Sequence, residues 1–299
     1  MSADLTNPIV ADENEARKHL EKLRWPNGRP ICPHCGESEK ITKLRGKSHR
    51  PGLYQCNGCR QHFTVTVGTL FEDSHIPLNK WLLAFHLMSA SKKGISAHQL
   101  HRMLGITYKS AWFMAHRIRE AMKPNHNGML GGNGPVEADE TFIGTKLGAK
   151  KRRGYGHKNA VLSLVERNGE VRSFHVLSVT AKTLKPFLQE NILPEANLMT
   201  DDAGQYQIIG PEFAKHDVVC HSAEEYVRGG VHTNTVESFF SILKRGLIGT
   251  YHHVGSQHLQ RYVTEFDFRY NLRKVTDFQR ATQALKGITG KCLTYRRTD

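Results

Sequence analysis

The chain has 299 residues, 38% of them hydrophobic, enough for one large domain plus smaller ones with packed cores. Its 42 lysines and arginines against 28 acids give a formal net charge of +14, which favours a polyanionic partner through counterion release. No apolar run approaches the roughly 18 to 20 residues of a membrane span, and the acidic start MSADLTNPIVADENEA lacks the basic-then-apolar order of a signal peptide, so a cytoplasmic protein is expected.

Residues 1–72 are read as an N-terminal helix and a zinc ribbon. Six cysteines in a chain of this length do not make a disulfide scaffold. Four of them form two tight pairs, Cys32 with Cys35 in CPHCG and Cys56 with Cys59 in CNGCR, twenty residues apart. Each CxxC knuckle lets two thiolates grip one ion while backbone amides turn toward the sulfurs, and two knuckles close a tetrahedral structural Zn2+ site. His34 and His62 lie nearby, but four thiolates already complete the shell. The segments LYQC and QHFTVTVGTLF are expected to form the ribbon's hairpins. Cys220 and Cys292 have no partner at metal spacing.

Residues 73–123 read as helices joined by short turns. Leu78, Trp81, Leu82, Phe85 and Met88 mark one apolar stripe; Ser96 with Gln99 forms a capping box before HQLHRML, and Gly105 breaks that helix. A last helix after Thr107 is expected to bury Ala111, Ala115, Ile118 and Met122 and to present Lys109, His116, Arg117 and Arg119 elsewhere. Helix, glycine turn, basic helix is the helix-turn-helix order, so Lys109, Arg117 and Arg119 are candidate DNA contacts.

Residues 124–134, rich in Gly, Asn and Pro, read as a linker to a second domain over 135–290, followed by a basic tail, 291–299. The strand VEADETFI precedes the basic loop KLGAKKRRGYGHK, then the hairpin NAVLSLVERNGEVRSFHVLSV turning at Asn168 and Gly169. Helix TAKTLKPFLQENIL, strand NLMT, helix AGQYQIIG, strand HDVVCH and a helix near residue 240 follow. Hairpin strands first and strand-helix alternation afterwards predict a mixed sheet flanked by helices. The loop residues Lys150, Lys151, Arg152 and Arg153 are candidate phosphate contacts.

In the helix near residue 240, Val236, Phe239, Phe240, Leu243 and Leu247 share an apolar face, while Glu237, Ser241 and Lys244 share a polar one. Two strand-like runs upstream carry Asp139 and Asp201. Three carboxylates from two strands and a helix suit a pair of hard divalent ions, Mg2+ or Mn2+. Glu140 falls on the opposite sheet face from Asp139, whereas Glu137 shares its face and reads as an outer acid. The histidines His221, His232, His252 and His253 crowd the region and are not read as ligands. In the last long helix, Leu259, Tyr262, Val263, Phe266 and Tyr270 form a packing stripe, and Arg261, Arg269, Arg273 and Lys274 are lesser backbone-contact candidates.

With CPHC…CNGC, GISAHQLHRMLGITYKSAW, VEADETFIG, TDDAGQY, EYVRGGVHTNTVESFFSILKRGLIGTYHHV and HLQRYVTEFDFRYNLR, the chain resembles a DDE-type insertion-sequence transposase over nearly its whole length. The resemblance is to the group that joins an N-terminal zinc ribbon and a helix-turn-helix-like segment to a ribonuclease H-like catalytic domain. It implies that Asp139, Asp201 and Glu237 are the three acidic positions and Lys244 the basic one, with Arg245 beside it on DNA. The family commonly has glycine after the second aspartate where this chain has Asp202, and some relatives use asparagine for the third acid, a role open to Asn234; the spacing to Lys244 favours Glu237. The implied partner is double-stranded DNA, both transposon ends and target, bound by a homodimer or higher oligomer. The competing readings are a zinc-ribbon and helix-turn-helix regulator derived from an inactive transposase, and a metal-dependent nuclease that joins no strands.

Overall fold

The computed structural model describes residues 7–124, 126, 128–146, 148–151, 153–220, 223, 225 and 227–294. The chain forms two compact units, one of Met1–Met122 with Val275–Asp299 and one of Lys123–Lys274. Among the described residues no helix is long and apolar enough to cross a membrane.

The first unit opens with α1 (Pro8–Ala11) and α2 (Glu13–Arg24). Asp12 ends the former and caps the latter, accepting the Glu15 amide at 2.9 Å. Strands β1 (Ile41–Lys43), β2 (Tyr54–Cys56) and β3 (His62–Phe63) form a small antiparallel sheet. Trp25 stands edge-on to Tyr54 and Phe63, which stack on each other at 5.6 Å, and these rings are the ribbon's core. The strand expected to continue past Phe63 turns instead. Thr69 Oγ1 donates to the Thr66 carbonyl at 2.6 Å, Gly68 sits at φ +72°, and Arg24 takes the Val65 and Val67 carbonyls at 2.8 and 2.6 Å. A side chain thus satisfies the groups that a neighbouring strand would otherwise bind.

Helices α3 (Leu78–Ala90), α4 (Ala97–Leu104) and α5 (Tyr108–Ala121) follow, with Trp81, Leu82, Phe85 and Met88 buried as their spacing predicts. Ser96 accepts the Gln99 amide at 3.1 Å to start α4, and Gly105 at φ +57° ends it, a left-handed conformation that favours glycine. Thr107 caps α5.

The second unit is a five-stranded mixed sheet of order β6-β5-β4-β7-β8, from β4 (Val136–Ile143), β5 (Asn159–Glu166), β6 (Val171–Val176), β7 (Asn197–Asp201) and β8 (Lys215–Val219). The first three strands pair antiparallel; β4–β7 and β7–β8 pair parallel. The β5–β6 turn places Asn168 at φ +63°, and a Cβ on Gly169 would meet Glu166 Oε2 at 2.3 Å, so glycine is required there. On one sheet face, α6 (Ala181–Asn191) and α7 (Gly204–Ile209) pack Leu184, Leu188, Tyr206 and Ile209 against Val136, Ala138, Leu162 and Leu164. On the other, α8 (Asn234–Gly249) and α9 (Leu259–Asn271) pack against Val161, Val165 and Val171. The five apolar residues predicted for α8 are all buried there. Burying them contributes on the order of 10 kcal/mol, an upper figure set against a fully exposed chain.

Two boundaries differ from the sequence reading. Residues 130–134, read as linker, belong to the second unit: Leu130 is buried and bonds Asn191 and Leu193 through its backbone, while Glu166 accepts the Gly131 and Asn133 amides at 2.9 Å. The glycine-rich composition hid an anchor made of one apolar side chain and four hydrogen bonds. At the other end, the sheet unit stops at Lys274, short of residue 290. Helix α10 (Asp277–Lys286) instead folds with the first unit, where Arg280 donates to the Ser89 carbonyl at 2.9 Å.

Candidate active site and metal centre

In the ribbon, the sulfurs of Cys32, Cys35, Cys56 and Cys59 all lie within 4.8 Å of one another. The Cys32–Cys59 and Cys35–Cys56 separations are 3.7 and 3.6 Å. Tetrahedral thiolates bonded to zinc at about 2.3 Å stand about 3.8 Å apart, so the four sulfurs fit such an ion. Amides of Cys59 and Gly58 help lower the Cys56 thiol to about 7. Cys35, although the Glu37 amide donates to it, is pushed up to about 12, with the Cys59, Cys56 and Cys32 thiols raising it. Four thiols this close cannot all ionise without a cation among them.

The acidic site grows out of the sheet. In the parallel β4–β7 pair, Val136 lies opposite Leu198 and Glu137 opposite Met199, an offset of 62 residues (198 − 136). Two positions further, that offset aligns Asp139 with Asp201, the last residue of β7. Strand alternation turns Val136 and Ala138 toward α6 and α7, and therefore Glu137, Asp139 and Thr141 toward α8. Glu237 stands in the first turn of α8, exposed, and accepts the Thr233 hydroxyl at 3.0 Å. Burial raises the Asp139 carboxyl to about 8; the Glu140 amide at 2.7 Å opposes this, and the charges of Glu140, Asp201 and Glu237 add to it. The three carboxylates feel one another, yet their oxygens do not all lie within 4.8 Å; among the described residues only the cysteines form so tight a group. In donor chemistry an all-oxygen set of carboxylates suits hard divalent ions rather than zinc.

The neighbouring acids separate by face. Glu140 points toward Gln205 and the buried Tyr206; burial raises its carboxyl to about 7, with the Tyr206 phenol opposing and Asp201 adding. Asp202 receives the Cys220 thiol at 3.3 Å, whereas Asp201 accepts the Ala203 amide at 3.1 Å. Asn234 opens α8, exposed, its amide donating to His232 Nδ1 at 3.3 Å. Lys244 and Arg245 are exposed further along α8, and Arg245 Nε donates to the Ser241 carbonyl at 3.1 Å.

Residues 130–271, which contain all three acids, match the ISXO2-like transposase domain, and residues 11–62, which contain all four cysteines, match the transposase zinc-ribbon domain. The chain belongs to the insertion-sequence transposases. It is also similar to an uncharacterized protein in transposable element ISH50 of Halobacterium salinarum, 28% identical over 275 residues that cover 86% of this chain and 90% of the relative. No solved structure matches the chain.

The basic candidates of this transposase divide in two. Lys109, in the first turn of α5, is exposed, as are Lys150, Lys151 and Arg153 in the loop after β4; Arg152 lies outside the described residues, as does His221. Arg117 and Arg119 depart from expectation. Arg119 and His116 are buried, and Arg117 donates to the carbonyls of Leu70 at 2.8 Å, Glu72 at 3.0 Å and Leu293 at 3.3 Å. Read alone, α5 has one apolar and one basic face; the returning C-terminal segment covers the second, where Lys291 also bonds the Glu120 carbonyl at 2.9 Å. Arg269 is likewise buried and paired with Glu265, so it too serves the fold.

Sequence reasoning missed one residue and did not foresee the partners of another. Arg167, just past β5, donates to Glu137, and Glu137, read as an outer acid of the metal site, is wholly buried beneath the start of α8. A carboxylate two residues before Asp139 on the same sheet face was the available signal.

Proposed function

We propose that this transposase binds the terminal inverted repeats of its insertion sequence and catalyses metal-dependent strand cleavage and strand transfer at Asp139, Asp201 and Glu237. One relationship carries the reading: within the transposase domain, the β4–β7 offset carried two residues past Glu137–Met199 sets Asp139 opposite Asp201, and Asp139 is within electrostatic reach of Asp201 and of Glu237 in the first turn of α8. The mixed sheet with acids on adjacent strands supports a ribonuclease H-like fold, and Gly105 between α4 and the capped α5 supports a helix-turn-helix.

The three carboxylates would hold Mg2+ or Mn2+, which when bound lowers the pKa of a water and steadies the attacking and leaving oxygens. In the first reaction a water oxygen bonds to phosphorus, the bond to the 3′ oxygen breaks, and that oxygen leaves as a 3′ hydroxyl. In the second, the 3′ hydroxyl attacks a target phosphodiester; one ester bond replaces another, so no ATP is needed. Lys244, on the polar face of α8 with Glu237, holds a phosphate and orients the DNA end. Lys151, Arg153 and Arg245 add backbone contacts, and Lys109 presents a cation at the start of the reading helix. Zinc at the four cysteines is structural. Each DNA end requires its own acidic site, so the active complex on DNA is at least a dimer, acting in the cytoplasm.

The test is cleavage and joining of labelled DNA carrying the element's terminal repeats, with Mg2+ or Mn2+, for the wild type, Asp139→Asn and Glu237→Gln. Metal-dependent release of a 3′ hydroxyl and joining by the wild type alone, with all three proteins binding DNA, is the expected result. Binding without cleavage by any of them would favour the regulator; cleavage without joining would favour the nuclease.

A further inference from the structure

Glu137 is fully buried, and the hydrogen bonds its carboxylate accepts among the described residues come from the segment that begins α8 and from the arginine that pins that segment. Its Oε2 accepts the amides of Thr235 at 2.8 Å and Val236 at 3.0 Å. Its Oε1 accepts the Thr235 hydroxyl at 2.8 Å and Arg167 Nε at 2.7 Å; His232 Nδ1, which accepts the Asn234 amide, stands 3.2 Å away. Arg167 in turn donates to the carbonyls of Gly230 at 2.6 Å and His232 at 2.9 Å, the stretch that leads into the helix. Both carboxylate oxygens are therefore filled by donors, at the positive end of a helix. A carboxylate so occupied has no lone pair aimed at a metal ion.

Its place in the chain gives this anchor a consequence. Along β4, Glu137 stands two residues from Asp139 on the same face, about 6.6 Å at the usual strand rise. Along α8, Val236, whose amide it binds, is the residue before Glu237. The apolar packing of α8 on the sheet is non-directional and by itself resists sliding weakly, whereas this link is directional. We infer that Glu137, held by Arg167, is a positioning residue that sets the separation and register of Glu237 against Asp139, and so the affinity of the acidic site for its divalent ions. This rests on the proposed role of Asp139, Asp201 and Glu237.

The test uses the full chain as wild type, Glu137→Gln and Asp139→Asn. Glutamine keeps the shape but turns an NH2 toward donors, so the clamp on α8 should open without loss of the core. Two readouts are taken: hydrogen exchange of the peptide spanning residues 233–240, and Mn2+ affinity by electron paramagnetic resonance, beside cleavage of terminal-repeat DNA. In Glu137→Gln, exchange at the start of α8 should quicken at least about 10-fold. Mn2+ affinity and cleavage should fall by roughly 10 to 100-fold, the range for groups that orient metal ligands, with DNA affinity unchanged. Unchanged exchange, or faster exchange with unchanged Mn2+ affinity, overturns the inference. If Glu137→Gln does not fold, Thr235→Val removes one donor from the clamp and should move both readouts less and in the same direction; no movement overturns it. A wild type that binds Mn2+ through Asp139 yet cleaves nothing would defeat the transposition reading and leave the positioning result standing.

Discussion

Ser173 gives both its amide and its hydroxyl to Asp267, at 2.8 and 2.7 Å, joining the outer strand β6 to the middle of α9. Ser163 donates to the same hydroxyl at 2.8 Å, and Ser163 is the register partner of Asp139. A polar row therefore crosses the α8-facing side of the sheet, from the acidic site to Asp267. Burial raises the Asp267 carboxyl to about 7, against the two Ser173 hydrogen bonds, which lower it. In the unfolded chain the group titrates near 3.8. Between about pH 4 and 7 the folded state keeps a proton that the unfolded chain has lost, so stability falls as pH rises through that window and levels above it. The loss amounts to about 4 kcal/mol at 1.36 kcal/mol per unit. Asp267→Asn is neutral at every pH and should match the wild type near pH 4, then exceed its melting temperature at pH 8. Parallel melting curves for the two proteins from pH 4 to 8 would contradict this.

The ribbon depends on its ion more than on its core. Its three strands span three, three and two residues, and its main ring cluster is Trp25, Tyr54 and Phe63. A core this small does not offset the ordering entropy of its loops. One zinc per chain is expected by elemental analysis. Strong chelation or Cys56→Ser should abolish exchange protection over residues 30–63 while leaving the five-stranded sheet protected. Retained protection in the metal-free protein would show that the ribbon folds without it.

Local chemistry was legible in the sequence where spacing alone decides it. The apolar stripe of α8, the cap Ser96, the start of α5 after Thr107, the Asn168-Gly169 turn and the cysteine knuckles each follow from residues a few positions apart. The errors have a common origin in contacts between distant segments. Arg117 looked available for DNA because Leu293, which shares in binding it, lies 176 residues away, and the partners of Glu137, read as an outer acid, stayed hidden because they lie 98 and 99 residues on. A charged residue on a helix or strand has the same local signature whether it meets solvent or a returning segment, so periodicity cannot separate the two. For Asp139, alternation assigned the sheet face in sequence, but its nearness to Asp201 needed the β4–β7 pairing, which joins segments 62 residues apart.

Asp201 and Asp202 are adjacent acids with different surroundings, and they should answer differently to substitution. The charge of Asp201 helps to raise the Asp139 carboxyl, so the two are near; Asp202 receives the Cys220 thiol at 3.3 Å. Asp201→Asn should reduce metal-dependent cleavage at least about 1000-fold, since a neutral amide holds a hard cation far less well. Asp202→Asn, which keeps an oxygen for the thiol, should stay within about 5-fold of the wild type. Measuring single-turnover cleavage of terminal-repeat DNA by both variants decides the assignment, and equal losses would place Asp202 in the site as well.

Lys109 and Arg117 lie on one helix and should separate DNA affinity from stability. Arg117 binds three backbone carbonyls and lies over the Phe113 ring at 4.7 Å, so Arg117→Ala strands buried acceptors. The cost should be about 3 kcal/mol, seen as a lower urea midpoint for the first unit. Its DNA affinity, measured where the variant is still folded, should be close to that of the wild type. Lys109 is exposed in the first turn of α5, the turn that would approach the bases if α5 is the proposed reading helix. Lys109→Ala should leave the urea midpoint unchanged and weaken binding to terminal-repeat DNA. If the lysine meets a phosphate, the slope of log affinity against log salt should drop by about one; if it meets a base edge, the loss should be confined to the specific sequence. The reverse pattern, with Arg117 governing affinity and Lys109 governing stability, would mean that the C-terminal segment leaves α5 when DNA binds.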